Sequence, residues 1–195
     1  MGNREDLLTG ALACLKEKGW ARTTVRDIAA AAGVNHAAIG YHFGSREALL
    51  TEAFIQAMEE WGDTIAKLVE ASATVDAGPR ERYEAFWRAA IESYVDNRKL
   101  WLASVEAAVQ AEHLPQVREL LVAGLKEGRS GLAAGLLGID EDAIDGRALR
   151  TIGAVQLALM SGVLMQWTLD PDNAPSATDL ADGVLGLAAR LRDDD

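Results

Sequence analysis

Apolar residues recur with the spacing of an α-helix along almost the whole chain, and no stretch keeps the alternation of a β-strand. Helix start and stop signals divide this pattern into about nine helices, three short ones followed by longer ones. Thr24 with Asp27 begins the second helix, Gly33 ends it, and Pro79 and Pro115 lie in the first turns of later helices. The polar stretch "SATVDAGPRE" predicts a loop. The chain is therefore expected to be all-α, with a three-helix head and a larger helical body.

The second and third predicted helices, within residues 24–43, form a candidate helix–turn–helix because both are short and a glycine turn joins them. Ile28, Ile39 and Phe43 can face inward, which leaves small and polar side chains on the other side of the third helix. A face this narrow can enter a DNA major groove, which is about 12 Å wide. That outer face carries His36, Ala37, Gly40 and Tyr41, with Ala38 and His42 at its edges.

Side chains of this unit match the two kinds of contact that DNA-binding proteins make, to base edges and to phosphates. His36 lies in the first helical turn, where recognition helices present base-reading side chains, and Arg26 can reach a guanine edge or a phosphate. Arg46, at the start of the next helix, can hold the DNA backbone. Each residue alone has an ordinary explanation as a solvated or core side chain, so it is their placement around one unit that favours DNA. The predicted contact set is Thr24, Arg26, Asn35, His36, Ala37, Ala38, Gly40, Tyr41, His42 and Arg46.

The formal net charge of −11 argues at first against nucleic acid, but the charge is unevenly distributed. Residues 1–50 carry six basic and five acidic side chains, so the excess of negative charge lies beyond residue 50. An acidic body would repel a phosphate backbone, whereas a nearly neutral head would not. Solubility alone explains the same asymmetry, so the charge pattern permits DNA binding without requiring it.

Residues 4–50 resemble the DNA-binding domain of the TetR family of bacterial transcriptional regulators. The resemblance is carried by "ALACLKEKGW", "TTVRDIA", "AGVNHAAIGYHF" and "SREALL". It implies a DNA-binding domain over residues 1–50 and an all-helical domain over residues 51–195 that binds a ligand and dimerises.

Three positions depart from the family's usual pattern. That pattern has a tyrosine at Gly40, and commonly serine and lysine at Asn35 and His36. Without an aromatic side chain at Gly40, sequence readout is expected to depend more on Arg26, His36 and the alanines.

The predicted helix 147–168 is apolar on nearly all sides, so it must be covered on nearly all sides. Small residues fall on one of its faces, and the last predicted helix carries leucines and valines at helical spacing. These two helices of each subunit could form a four-helix contact in a homodimer. The alternative is a buried central helix of a monomer. The predicted interface residues are Ala154, Ala158, Ser161, Gly162, Val184, Leu187 and Leu191.

Aromatic and methionine side chains of the body could line an apolar cavity that contains a few polar groups. Core packing of a helical bundle is the alternative for each of them. The candidate ligand-binding residues are Trp61, Phe86, Trp87, Tyr94, Trp101, Glu106, Gln110, His113, Met160 and Trp167.

No catalytic site, metal site or cofactor is expected. Cys14 has no histidine near it in sequence, and His36 and His42 fall on different faces of a helix with no further ligand suitably spaced. The charged N-terminus "MGNREDLLTG" does not fit a signal peptide. Polar residues interrupt the most apolar run before it reaches the roughly 20 residues of a membrane span. A cytoplasmic protein with no membrane partner is therefore expected.

These features favour a sequence-specific DNA-binding transcriptional regulator. It is expected to be a repressor that a small apolar effector releases from a pseudo-palindromic operator in double-stranded DNA. Two alternatives stay open, an all-helical enzyme and a small-molecule carrier with no DNA role. Neither of them explains the helix–turn–helix, and neither predicts sequence-specific DNA binding.

Overall fold

The computed structural model describes residues 3–72 and 78–192, including the side chains of all of these except 65–72. Within these ranges the chain forms helices and no strands, which confirms the all-α prediction. The predicted loop "SATVDAGPRE" lies partly outside the described residues. Besides a short 3-10 turn, the described ranges contain α1 (Asn3–Lys18), α2 (Val25–Ala32), α3 (Ala37–Phe43), α4 (Arg46–Ser72), α5 (Pro79–Asp96), α6 (Arg98–Gln110), α7 (Pro115–Leu137), α8 (Gly146–Leu169) and α9 (Ala177–Arg190).

The chain forms two compact units. The first unit consists of Met1–Trp61 and Asn97–Gly128, and the second consists of Gly62–Asp96 and Arg129–Asp195. The first unit therefore holds the predicted helix–turn–helix together with α6 and the beginning of α7. The predicted boundary after residue 50 separates a DNA-binding domain from a domain that binds a ligand and dimerises. This division by function stays a prediction.

The core of the first unit is built from the inward faces of α1 to α4 and α6. Leu15, Ile28 and Leu49 are completely buried there, and each buried side chain of this size stabilises the fold by about 1.5–3 kcal/mol. Gly33 ends α2 with a φ of +67°, a left-handed conformation that glycine adopts without steric cost. This turn directs the chain into α3, as the sequence predicted. Burial also raises the pKa of the Cys14 thiol, which therefore keeps its proton in the core.

In the second unit α5 packs against α8 and α9. The Tyr83 hydroxyl donates to Oε1 of Gln156 at 3.0 Å, and the Tyr94 hydroxyl donates to the main-chain oxygen of Met160 at 3.3 Å. Burial raises the pKa of Tyr94, so its hydroxyl stays protonated and remains a donor. These two bonds fix α8 against α5 in register.

Helix α8 is less regular than the sequence predicted, because Leu149–Gly153 form a π-helical turn. Gly153 lies against the backbone of α7, where a Cβ atom on residue 153 would be 2.2 Å from the main-chain oxygen of Arg129. Only a residue without a side chain fits there. No local pattern indicates this contact, because the two residues are far apart along the chain.

Candidate nucleic-acid interface

Helix α2 begins at a capping box that Thr24 and Asp27 form reciprocally. The Thr24 hydroxyl donates to Oδ2 of Asp27 at 2.7 Å and accepts from the Asp27 amide at 3.2 Å. Lys18 of α1 donates to the other carboxylate oxygen at 2.6 Å. The hydrogen bond from Lys18, followed by those from Thr24, lowers the pKa of Asp27. The ionised Asp27 carboxylate therefore stabilises the start of α2 at any pH above the ordinary pKa of a carboxyl group. That stabilisation is lost only as the pH falls far into the acid range.

Helix α3 is held at both ends. Oδ1 of Asn35 accepts from the Ala37 amide at 2.9 Å, which closes a local turn just before the helix. At the other end, Nε2 of Gln116 in α7 donates to the main-chain oxygen of Phe43 at 2.9 Å. Ile39 and Phe43 anchor the inner side of α3 in the core. The sequence could not predict Gln116, because nothing in its neighbourhood signals a contact with α3.

The outer side of α3 is open to solvent. His36, Ala37, Gly40 and Tyr41 are exposed, and Tyr41 is 86% accessible. A Cβ atom at Gly40 would meet nothing within 4 Å. Ala38 and His42 are half-buried at the two edges of this face. The arrangement is the one predicted from helical spacing, and the DNA contact of each residue stays a prediction.

Two arginine residues were predicted to contact DNA, and their surroundings differ. Arg26 of α2 is exposed, and it forms no ion pair within the part of the chain that the structure describes. Arg46 instead donates from Nε to the main-chain oxygen of Thr23, from one terminal nitrogen to that of Trp20, and from the other to Glu47 at 2.7 Å. Of these two residues, Arg26 is the exposed one, and it has no ion pair among the described residues.

Thr24 and Arg46, both predicted to contact phosphate, also make hydrogen bonds within the protein. The single hydroxyl proton of Thr24 is used by Asp27, and all three guanidinium nitrogens of Arg46 donate within the protein. Arg46 joins the start of α4 to the segment that leads into α2. Both residues therefore help to position the helix–turn–helix, and their contacts with phosphate stay predictions.

Replacing Arg46 with alanine is expected to lower the free energy of unfolding by about 1–3 kcal/mol, because hydrogen bonds from a charged donor are lost. DNA affinity should also fall, whereas the slope of log affinity against log salt concentration should change little, because the guanidinium nitrogens of Arg46 already donate within the protein. Urea unfolding and DNA titrations at several salt concentrations measure the two effects. Arg26→Ala is the matched control and should leave stability unchanged. An Arg46→Ala protein with wild-type stability and a shallower salt slope would show that Arg46 contacts a DNA phosphate.

The ten candidate ligand-binding residues are divided between the two units. The first unit contains Trp61 and Trp101, whose rings meet edge to face at 5.0 Å, with Glu106 and Gln110 half-buried and His113 exposed. The second unit contains Phe86, Trp87, Tyr94, Met160 and Trp167.

Within the second unit Tyr83 packs against Trp87 and donates to Gln156, and neither Tyr83 nor Gln156 was among the predicted ligand-binding residues. Gln156 stood in the sequence only as an interruption of an apolar run. Its burial beside an aromatic residue depends on α5, which the local sequence does not show. Across residues 3–72 and 78–192, no three histidine, cysteine, aspartate or glutamate side chains come together in a way that could hold a metal ion.

The predicted dimer face is largely exposed in the single chain. Ala158, Ser161 and Gly162 of α8 are exposed, as are Leu187 of α9 and Leu191 after it, at 66% and 81%. Ala154 and Val184 are half-buried. The sequence missed further exposed apolar side chains on the same two helices, namely Ile152, Val155, Leu169 and Leu185.

Helix α8 is long and apolar enough, by length and composition, to cross a membrane. An apolar helix that packs inside a soluble protein or against a second subunit meets the same criterion. The inner side of α8 carries the buried Gln156 bonded to Tyr83, a polar contact that a packed helix makes within its own unit.

Known proteins share both the motif and the fold. A family model described as bacterial regulatory proteins of the tetR family matches residues 7–53. The transcriptional repressor KstR2 of Rhodococcus jostii is 31% identical over 137 residues, which cover 65% of this chain and 67% of KstR2. The transcriptional regulator BetI of Agrobacterium fabrum is 31% identical over 134 residues, covering 68% of this chain and 63% of BetI.

The fold is also found in a solved TetR transcription regulator from Haloarcula marismortui. That structure has a TM-score of 0.61 at 22% identity, and the match covers 98% of this chain and 97% of that one. Each of these relatives is a transcriptional regulator. The helix–turn–helix of α2 and α3, with its capped and solvent-exposed recognition face, is thus that of a DNA-binding regulator, and the chain belongs to the TetR family of bacterial transcriptional regulators.

Proposed function

We propose that this protein is a dimeric repressor that binds a pseudo-palindromic operator through α3 and releases it when a small molecule binds. The observation that carries the proposal is the exposed side of α3, which presents His36, Ala37, Gly40 and Tyr41 to solvent. The buried side of the same helix is fixed by Ile39 and Phe43. A face that is rigidly held and yet uncovered is suited to a major groove.

The contacts divide by chemistry. His36 reads a base edge, and the methyl groups of Ala37 and Ala38 contact thymine. Tyr41 and His42 donate to phosphate oxygens, and Arg26 binds a phosphate or a guanine. Gly40 leaves space for the DNA to approach the helix backbone closely, because nothing in the first unit fills the position of its missing side chain.

Homodimerisation places two such faces on one DNA molecule. The exposed apolar sides of α8 and α9 support this assembly. Ser161 also lies on this face, and its hydroxyl donates to the main-chain oxygen of Leu157 at 3.0 Å. The polar atom is therefore already satisfied, and the face can lose its water at little cost. A two-fold axis would set the half-sites about one helical turn, or a multiple of it, apart.

Effector binding is typical of the family, and in this protein the aromatic residues of the helical body are proposed to bind the effector. A ligand that binds more tightly to a conformation unsuited to the operator shifts the dimer away from DNA. By linkage, operator DNA must weaken ligand binding by the same factor. The protein is proposed to act in the cytoplasm, with no enzymatic activity, metal or cofactor and no membrane partner.

DNA binding is tested by titrating the protein against the DNA that flanks its own gene. Arg26→Ala should weaken binding to all sequences and make the slope of log affinity against log salt shallower by about one unit. His36→Ala should instead change the preference at one base pair by about 1–3 kcal/mol. Arg147→Ala, an exposed position outside the helix–turn–helix, is the charge-matched control. Unchanged binding in both head variants would remove α3 and Arg26 from the interface, and failure to bind any sequence specifically would favour the enzyme or carrier alternatives.

A further inference from the structure

Two buried nitrogen donors of the second unit lack an acceptor. Trp87 is completely buried and its Nε1 has no hydrogen-bond partner, and Gln156 is 3% exposed and its Nε2 has none. A buried donor without an acceptor is unfavourable, because water bonded to it in the unfolded chain. Such groups are uncommon in folded proteins and indicate a missing partner.

The two donors belong to one cluster around Tyr83. The Tyr83 hydroxyl donates to Oε1 of Gln156, which occupies the oxygen of the amide and leaves its NH₂ group as the unsatisfied end. The ring of Tyr83 meets that of Trp87 edge to face, with ring centroids 6.2 Å apart. Phe86 adds an apolar wall, its ring centroid 5.5 Å from that of Trp87.

Arg129 adds a third donor and a positive charge. Its Nε is buried without a hydrogen-bond partner, and none of the ion pairs among the described residues includes it. Its backbone touches Gly153, which lies one helical turn before Gln156 on the buried side of α8. Arg129 is half-buried, and its buried Nε faces no carboxylate among the described residues, so an anion from outside the chain could pair with this charge.

All three unsatisfied groups are therefore donors, and one of them is cationic. Water could satisfy the neutral donors, whereas an anionic ligand would satisfy them and also pair with the guanidinium of Arg129. A carboxylate supplies several acceptor sites and the missing negative charge in one group. Phe86, whose ring packs against that of Trp87, suits an apolar remainder of the same molecule.

We propose that the effector is an organic acid whose carboxylate binds Arg129, Gln156 and Trp87 in the second unit. This rests on the proposed effector-controlled function and names the chemical class of the effector. It differs from the sequence-based expectation, in which Glu106, Gln110 and His113 orient an apolar molecule. Of those three, none lies in the second unit.

The test uses matched probes that share an apolar group and differ at one end. Linear, branched and aromatic groups of six to ten carbons, which is about the size of a small effector, are each offered as carboxylate, primary amide and alcohol. Tryptophan fluorescence titration without DNA gives the affinities. For at least one apolar group the acid should bind the wild type about tenfold or more tightly than the amide and the alcohol. Equal affinity of acid, amide and alcohol throughout, or no binding of any acid at millimolar concentration, would overturn the proposal.

Two variants and one control test whether the preference for the acid depends on Arg129 and Gln156. Arg129→Gln should abolish the preference for the acid, and Arg150→Gln, at an exposed position of α8, should keep it. Gln156→Glu places a carboxylate beside the same donors, so it should raise the melting temperature of the ligand-free protein by about 2–4 °C and also abolish the preference. A fall in melting temperature would show that the donors do not converge and would overturn the proposal, as would an acid preference that survives Arg129→Gln.

Operator titrations, carried out alongside these measurements, test the identity of the effector separately from the function of the protein as a DNA-binding regulator. Specific operator binding that no acid changes would overturn the identity of the effector and leave the regulator intact. Absence of specific DNA binding, with an acid still bound at Arg129, would instead reject the proposed function.

Discussion

Gly153→Ala is expected to lower the free energy of unfolding by about 3 kcal/mol or more, the largest effect of any single methyl group added to the described helices. The new Cβ atom would lie 2.2 Å from the main-chain oxygen and 2.9 Å from the main-chain carbon of Arg129. A backbone cannot rotate away as a flexible side chain can, so α7 and α8 must separate. Their separation would expose the buried side of α8 and disturb the cluster around Gln156.

Urea unfolding followed by circular dichroism measures this effect. Gly135→Ala in α7 is the matched control, because a Cβ atom there meets nothing within 4 Å. Alanine is the better helix former, so the control should be more stable than the wild type by up to about 1 kcal/mol. Equal stability of the two variants would mean that the close approach of Gly153 to Arg129 is absent in solution.

Ala158→Arg is expected to give folded monomers whose operator affinity is about 100-fold or more below that of the wild type. Ala158 is exposed on α8, on the face proposed to meet the second subunit. An arginine there would have to be buried without a partner in the dimer, which is costly. A monomer keeps only one recognition helix, so it loses the gain that comes from binding two half-sites at once.

Sedimentation equilibrium gives the state of assembly, and operator titration gives the affinity. Ala108→Arg, the same substitution at an exposed position of α6, should remain dimeric with wild-type affinity. If Ala158→Arg stays a dimer, the interface lies elsewhere. A wild type that sediments with lipid vesicles, and not as a free dimer, would give the apolar side of α8 a membrane partner.

The head was predictable because its determinants are local. The cap at Thr24 and the turn at Gly33 each act over a few residues, and the inward positions of Ile39 and Phe43 follow from helical spacing. The exposed side of α3 follows in turn from its buried side. The sequence therefore predicted both the helix–turn–helix and the residues that it leaves open.

Contacts between distant segments were not predictable in the same way. Gln116 bonds to Phe43, Arg46 bonds to Trp20 and Thr23, and no nearby residue signals either contact. Arginine is equally suited to DNA phosphates and to main-chain oxygens, so residue type alone assigned Arg46 to DNA. The buried donors of the second unit are a further case, because a glutamine in an apolar helix gives no indication of which helix covers it.

The central claim is that two α3 helices of one dimer read a symmetric DNA site. It is tested most directly by selecting random double-stranded DNA with the purified wild-type protein at near-physiological salt and sequencing what is bound. The account predicts one enriched motif made of two inverted half-sites whose centres lie about one helical turn, or a multiple of it, apart. Bound DNA with no enriched motif, or with a single motif lacking two-fold symmetry, would contradict it.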